Sequence, residues 1–174
     1  FDTFAASFER VLNDRLHYRA PQLCADLLAE TLGAAAGALD MLDAGCGTGL
    51  CGPLVAPWAR HLVGVDLSGG MLAKARSKGV YAELVKAELG DYLRRAPACW
   101  DAIICADTLC YFGGLHEVMR AAAQGLRPGG VMVYTVEALP DDQASLAVIQ
   151  PNGRYSHGRA HLDQASEAAG LIVK

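Results

Sequence analysis

The 174-residue chain is short of three things: an excess of positive charge, paired cysteines and long apolar runs. Its 15 Lys and Arg stand against 19 Asp and Glu, a formal net charge of -4. That balance lacks the basic footprint of a protein that grips phosphate backbones, so nucleic acid is not a favoured partner. No uninterrupted apolar stretch reaches the ~20 residues of a membrane-spanning helix, and no charged-then-apolar leader opens the chain. The first residue is Phe1 rather than methionine, which leaves a missing or processed N-terminal portion open. The six cysteines form no C-x-x-C pair and no metal-ligand cluster; several sit in apolar runs, where cysteine acts as a small hydrophobe. Reduced thiols in a cytoplasmic protein are the expectation. His157 and His161 are four apart, but no glutamate stands between them as in H-E-x-x-H and no third ligand is evident. No metal site is expected.

What is present is an alternation of strands and helices, with 52% hydrophobic and 20% charged residues. It predicts one α/β domain over 1–174, with a helical cover over 1–37 and a core over 38–174. Phe4, Phe8, Val11 and Leu12 share a face of a helix over 2–17. Pro21 suits the first turn of a second helix, with Leu23, Leu27, Leu28 and Leu32 on one face and an end near Gly33 or Gly37. The two helices pack, or form a cover over a site. Strands follow at Leu39–Asp43, His61–Asp66, Val80–Ala87, Trp100–Ala106 and Val131–Val136. Pro53 and Pro57 keep the helix after Gly49 short. Ser68 caps the next helix, and another runs over Leu115–Leu126 to a turn at Arg127-Pro128-Gly129-Gly130. A polar loop over 138–157, a helix over 158–169 and the start of a sixth strand at Gly170–Lys174 complete the pattern. The expected fold is a three-layer sandwich: a mostly parallel twisted sheet, helices on both faces, and a chain that stops as a final pair of strands begins.

Ligands of such sheets lie outside the carboxyl ends of the strands. There Met41-Leu42-Asp43-Ala44-Gly45-Cys46-Gly47-Thr48-Gly49-Leu50 ends an apolar strand in an acid and three alternate glycines. A backbone turn before a helix offers free N–H donors to a ligand. The loop is G-x-G-x-G rather than G-x-G-x-x-G, and Asp43 before it would repel a diphosphate. With no G-x-x-x-x-G-K-[ST] in the chain, triphosphate hydrolysis is disfavoured. Asp66, after the second strand, is placed to take two ribose hydroxyls, or else to cap a helix. Glu88 follows the third strand, where the neighbouring backbone and Leu89 could meet an adenine ring, and Asp107 follows the fourth.

Four stretches carry a family resemblance: Leu42–Gly49, Val63-Gly64-Val65-Asp66-Leu67-Ser68, Trp100-Asp101-Ala102-Ile103-Ile104 and Leu126-Arg127-Pro128-Gly129-Gly130. In that order they resemble the Rossmann-like S-adenosylmethionine-dependent methyltransferases over about residues 39–136. Tyr18-Arg19-Ala20-Pro21 and Asn152-Gly153-Arg154-Tyr155-Ser156-His157 are similar to a bacterial subgroup attached to tetratricopeptide repeats. The resemblance implies that Asp43 and the loop of Gly45, Cys46, Gly47, Thr48 and Gly49 hold the methionine part of the donor. It implies Asp66 on the ribose, Leu67 and Met71 against the adenine, and Ala87, Glu88 and Leu89 at the adenine edge. Ala106 and Asp107 would lie near the sulfonium. Arg19 would meet the methionine carboxylate, or be a surface arginine. The family usually adds an antiparallel seventh strand, which this chain lacks.

The implied activity is methyl transfer from S-adenosyl-L-methionine, leaving S-adenosyl-L-homocysteine, onto a small-molecule or lipid-like acceptor. Candidate bases are His157, Tyr155, Asp107 and Tyr111, needed only where the acceptor must lose a proton. Ala106-Asp107-Thr108-Leu109 is not an N/D-P-P-[YF] tetrapeptide, which argues against methylation of nucleobase or glutamine amino groups. Two other readings stand beside this one: a non-catalytic donor-binding scaffold domain on a repeat protein, and an NAD-dependent oxidoreductase.

Overall fold

The computed structural model describes residues 18–95 and 97–174. The helix expected over 2–17 lies outside the described residues. Helix α1 (Ala20–Leu32) opens the described chain and stops at Gly33, whose φ is 75°. Then come β1 (Leu39–Ala44), α2 (Gly52–Val55) with a 3-10 turn at Ala56–Trp58, β2 (Ala59–Asp66) and α3 (Gly69–Arg76). Next are β3 (Glu83–Lys86), α4 (Leu89–Arg94), β4 (Trp100–Cys105), a 3-10 turn at Leu109–Tyr111, α5 (His116–Gly125) and β5 (Leu126–Tyr134). The chain closes with β6 (Glu137–Ala138), a 3-10 turn at Asp141–Gln143, β7 (Ala147–Ile149), β8 (Tyr155–His157) and α6 (Arg159–Ala168).

Strands β1 to β5 form one parallel sheet in the order β3-β2-β1-β4-β5. The order reverses at β1 and β4, so the crevice beyond their carboxyl ends is the topological switch point. Alternating side chains feed two cores. Leu42, Val63, Ile103 and Cys105 meet Leu93, Val118, Met119 and Ala122 of α4 and α5 on one face. Met41, Leu62, Ala102 and Ile104 meet Cys24 and Leu28 of α1 and Val55 of α2 on the other. Strands buried on both sides read as continuous apolar runs, which is why β1, β2 and β4 are legible in sequence.

Four expectations need correction. On α1, Leu28 of the expected stripe is buried, but Leu23 and Leu27 are exposed and Cys24 and Ala25 are buried in their place. The two stripes lie side by side on the helix, and the one with small side chains permits the closer approach to the sheet. Arg127–Gly130 does not precede β5 but bulges within it: Leu126 pairs with Trp100 and Val131 with Ala102. Arg127 there binds Asp101 at 2.8 Å and Asp40 at 2.9 Å. The polar loop contains a second sheet, ordered β6-β8-β7, parallel between β6 and β8 and antiparallel between β7 and β8. Gly170–Lys174 forms no strand; Gly170, at φ 77°, ends α6 in a turn closed by Leu171 N on Ser166 O. No helix among the described residues is long and apolar enough to cross a membrane.

Candidate active site

A cavity of about 360 Å³ opens at the switch point. Of the residues expected there, Asp43, Gly45, Cys46, Gly47, Thr48, Asp66, Leu67, Met71, Ala87, Glu88, Leu89, Ala106 and Asp107 all line it. Parallel pairing of β1, β2 and β4 brings these chain-distant segments together at one rim.

The glycine loop is tied to β2 by backbone and by acid. Gly45 N and Cys46 N both donate to Val65 O, at 2.8 and 3.0 Å. Asp66 accepts from Gly47 N through Oδ2 at 2.9 Å and from Ser68 N through Oδ1 at 2.8 Å. A carboxylate oxygen takes more than one donor, so both oxygens retain capacity for ligand hydroxyls. Ser68 in turn caps α3 by accepting from Met71 N at 3.1 Å. Gly45 (φ 75°) permits a close approach: a Cβ there would lie 2.3 Å from Thr108 Oγ1. Gly47 (φ 54°) also needs the left-handed region.

Asp43 is 1% exposed and accepts from the Tyr81 hydroxyl at 2.6 Å. Burial pushes its carboxyl up to about 7, against the opposing effect of the Tyr81 bond. The same surroundings push the Tyr81 hydroxyl far above its ordinary range. Thr48 lines the cavity with its Oγ1 buried and unpartnered among the described residues. Glu88 reaches the rim, but its carboxylate caps α4, accepting from Gly90 N at 3.0 Å and Asp91 N at 2.7 Å.

Other expected residues lie elsewhere. Arg19 is exposed at the start of α1, while its neighbours Tyr18 and Pro21 line the cavity. Gly49 is turned to α3, where a Cβ would sit 3.0 Å from Ala75 Cα. Tyr155 packs over Gly113, outside the lining. His157 is 1% exposed, stacked on His161 at 5.5 Å between ring centres, with Nε2 3.3 Å from Leu109 O. Burial holds its imidazole below the ordinary range, and it does not reach the cavity. The ring is sealed in protein, which removes the geometric ground for a base. Among the described residues no group of three His, Cys, Asp or Glu is placed to hold a metal ion.

Tyr18, Thr108, Tyr111 and Phe112 also line the cavity, as do Leu50, Cys51 and Val65, and of these only Tyr111 is among the candidates read from sequence. Thr108 and Phe112 follow the carboxyl end of β4, a signal the strand-end rule supplies. Tyr18, before α1, has no such signal. Asp43, Asp66, Glu88 and Asp107 line the cavity, and no Lys, Arg or His among the described residues does. Such a site repels a pyrophosphate and suits a cationic ligand.

A model of the methyltransferase domain family matches residues 41–130. The chain belongs to this family. Among similar proteins is a ubiquinone biosynthesis O-methyltransferase of Aeromonas salmonicida, 27% identical over 150 residues, covering 77% of this chain and 63% of that one. Human methyltransferase-like protein 27 is 35% identical over 111 residues, 63% of this chain and 45% of that protein. The chain thus spans under two thirds of both relatives. In fold, the methyltransferase domain is similar to an S-adenosylmethionine-dependent methyltransferase structure from Mesorhizobium loti. The TM-score is 0.65 at 23% identity, covering 86% of this chain and 81% of the other. The cofactor of that class is S-adenosyl-L-methionine. The orphaned Thr48 hydroxyl, the open space beside Gly47 and lining residues whose charged members, among the described residues, are all acids fit a cationic adenosyl ligand without phosphates.

Proposed function

We propose that this methyltransferase domain moves a methyl group from S-adenosyl-L-methionine to a hydroxyl of a small aromatic acceptor. The observation that carries the donor assignment is the cavity itself: four acidic residues and, among the described residues, no basic side chain around the Gly45–Gly47 backbone. The donor supplies an activated methyl on a sulfonium, so the protein's part is alignment and exclusion of water. Asp66 would take ribose hydroxyls, and Leu67, Met71 and Leu89 would flank the base. Gly45, Gly47, Thr48 and Asp43 would hold the amino-acid end. Asp107, its carboxylate ion-paired with Arg154, would face the acceptor at the remaining end of the cavity and hold its hydroxyl by a hydrogen bond.

An aromatic acceptor is supported by the walls at that end, Tyr18, Tyr111 and Phe112, which offer flat apolar faces. The Aeromonas relative's name, an O-methyltransferase of ubiquinone biosynthesis, points the same way. Calorimetry with S-adenosyl-L-methionine, S-adenosyl-L-homocysteine and NAD tests the donor. Binding of the sulfur compounds and not NAD is expected; the reverse would end this reading and favour an oxidoreductase. Transfer of a labelled methyl group to catechol, a simple dihydroxy aromatic, tests the acceptor. Donor binding without transfer to any of a panel of phenols would leave a binding domain instead.

A further inference from the structure

The Asn152–His157 stretch stands out in the sequence, yet Arg154, Tyr155 and His157 all lie outside the cavity lining. All three converge on one segment, residues 107–113, which leaves the carboxyl end of β4. That segment supplies Asp107, Thr108, Tyr111 and Phe112 to the cavity wall.

Arg154 makes ion pairs from Nη2 to Asp107 Oδ1 and from Nε to Glu137 Oε1. Its Nη1 lies 3.3 Å from Asp107 Oδ2 and 3.3 Å from the Tyr111 hydroxyl. The guanidinium also covers the Tyr111 ring, 5.4 Å from its centre. A guanidinium has five N–H donors, and these contacts engage most of them within the protein rather than leaving them for a ligand. Tyr155 seals the far end of the segment: a Cβ on Gly113 would come within 2.8 Å of its Cζ. His157 holds the middle through Nε2 and Leu109 O, so that nitrogen carries the proton, since a carbonyl only accepts. Asp107 meanwhile has φ 55°, a region sparsely used by residues with a Cβ. Such a conformation persists where the surroundings over-determine it. Here Arg154 fixes the side chain, and Asp107 N donates to Thr135 Oγ1 at 2.9 Å.

The structure assigns Arg154, Tyr155 and His157 a joint positioning role: gripping residues 107–113 at three points, they set the shape of the acceptor-facing end of the cavity. Arg154 acts through Asp107 and Tyr111, His157 through Leu109 and Tyr155 through Gly113, and none of the three lines the cavity. The significance of that end rests on the methyl-transfer reading; the grip itself does not.

Hydrogen–deuterium exchange on the full chain tests the grip, comparing wild type with Arg154→Ala, Arg154→Lys, His157→Ala and His157→Gln. Arg154→Ala and His157→Ala are expected to speed exchange in 107–113 about tenfold, with β1 and β2 unchanged. His157→Gln can offer its amide N–H in place of Nε2 and is expected to keep wild-type exchange. Arg154→Lys, lacking the planar fork, is expected to behave as Arg154→Ala. Added ethylguanidinium is expected to restore the slow exchange of Arg154→Ala, a rescue that a general loss of structure would not show. Unchanged exchange in 107–113, or an equal rise across the central strands, would overturn the assignment. If His157→Ala fails to fold, the partly exposed Arg154 still decides the matter through its two variants and the rescue. In parallel, calorimetry is expected to show S-adenosyl-L-methionine binding about tenfold weaker to Arg154→Ala than to wild type. A wild-type chain that binds no donor, with exchange in 107–113 still responding, would overturn the donor reading and leave the grip standing.

Discussion

Asp43 couples the stability of this domain to pH, and its sign can be worked from its surroundings. The residue is 1% exposed, with its carboxyl raised from 3.8 to about 7 chiefly by burial. In the unfolded chain the group titrates near its ordinary value. Between 3.8 and about 7 the folded state therefore holds a proton that the unfolded state has lost. Stability contributed by this proton is present at low pH, falls as pH rises through that window, and is level above it. At 1.36 kcal/mol for each tenfold step, the whole effect is about 4 kcal/mol. Asp43→Asn keeps the shape and removes the titration. Urea unfolding of both proteins, from pH 4 to 8, should show the advantage of Asp43→Asn growing with pH by a few kcal/mol and then levelling. A difference that is flat across the window, or that shrinks as pH rises, would refute the reasoning. Tyr81→Phe removes the 2.6 Å hydrogen bond that favours the carboxylate, and should move the level point to higher pH. A cationic donor beside Asp43 favours its ionised form. Donor binding near pH 7 should then release protons, read as a calorimetric heat that varies with the buffer's ionisation enthalpy.

Three further perturbations separate the parts of the site. Asp66→Ala orphans Gly47 N and Ser68 N and removes the proposed ribose acceptor, so affinity for S-adenosyl-L-methionine should fall about 100-fold by calorimetry, with far-UV circular dichroism unchanged. Gly45→Ala places a Cβ 2.3 Å from Thr108 Oγ1 at a φ of 75°, and should cost about 2–4 kcal/mol in urea unfolding, partly recovered by adding Thr108→Ala. Trp58→Phe loses the 3.0 Å bond from Nε1 to Gly33 O and should cost about 1 kcal/mol, measured the same way, without altering donor affinity.

The parts of the site made by backbone are legible in the sequence, and those made by side chains crossing between distant segments are not. The acids at the ends of β1, β2 and β4 stand out because buried parallel strands are apolar and stop abruptly, and pairing of these strands then carries the acids to one rim. The glycine loop after β1 is legible for the same reason, through glycines whose positive φ the turn demands at Gly45 and Gly47. Gly49 shares the spacing and, at φ 81°, the left-handed backbone, but it faces α3 instead of the cavity, a distinction that spacing cannot make. Asp43 is visible as an acid, but its partner Tyr81 lies 38 positions on, in no recognisable relation to it. The sheet of β6, β7 and β8 escapes periodicity because its strands are two or three residues long and Pro140 and Pro151 lie in its connections. That blindness is what makes His157 look like a base. A histidine in a polar loop suggests proton transfer, whereas a histidine on a short buried strand, its Nε2 facing Leu109 O, suggests a fastening. Arg154 and Asp107, 47 positions apart, meet only because β8 folds back beside the exit of β4. One wall of this cavity, residues 107–112 after β4, is thus braced from the later part of the chain, beyond residue 130 where the family match ends.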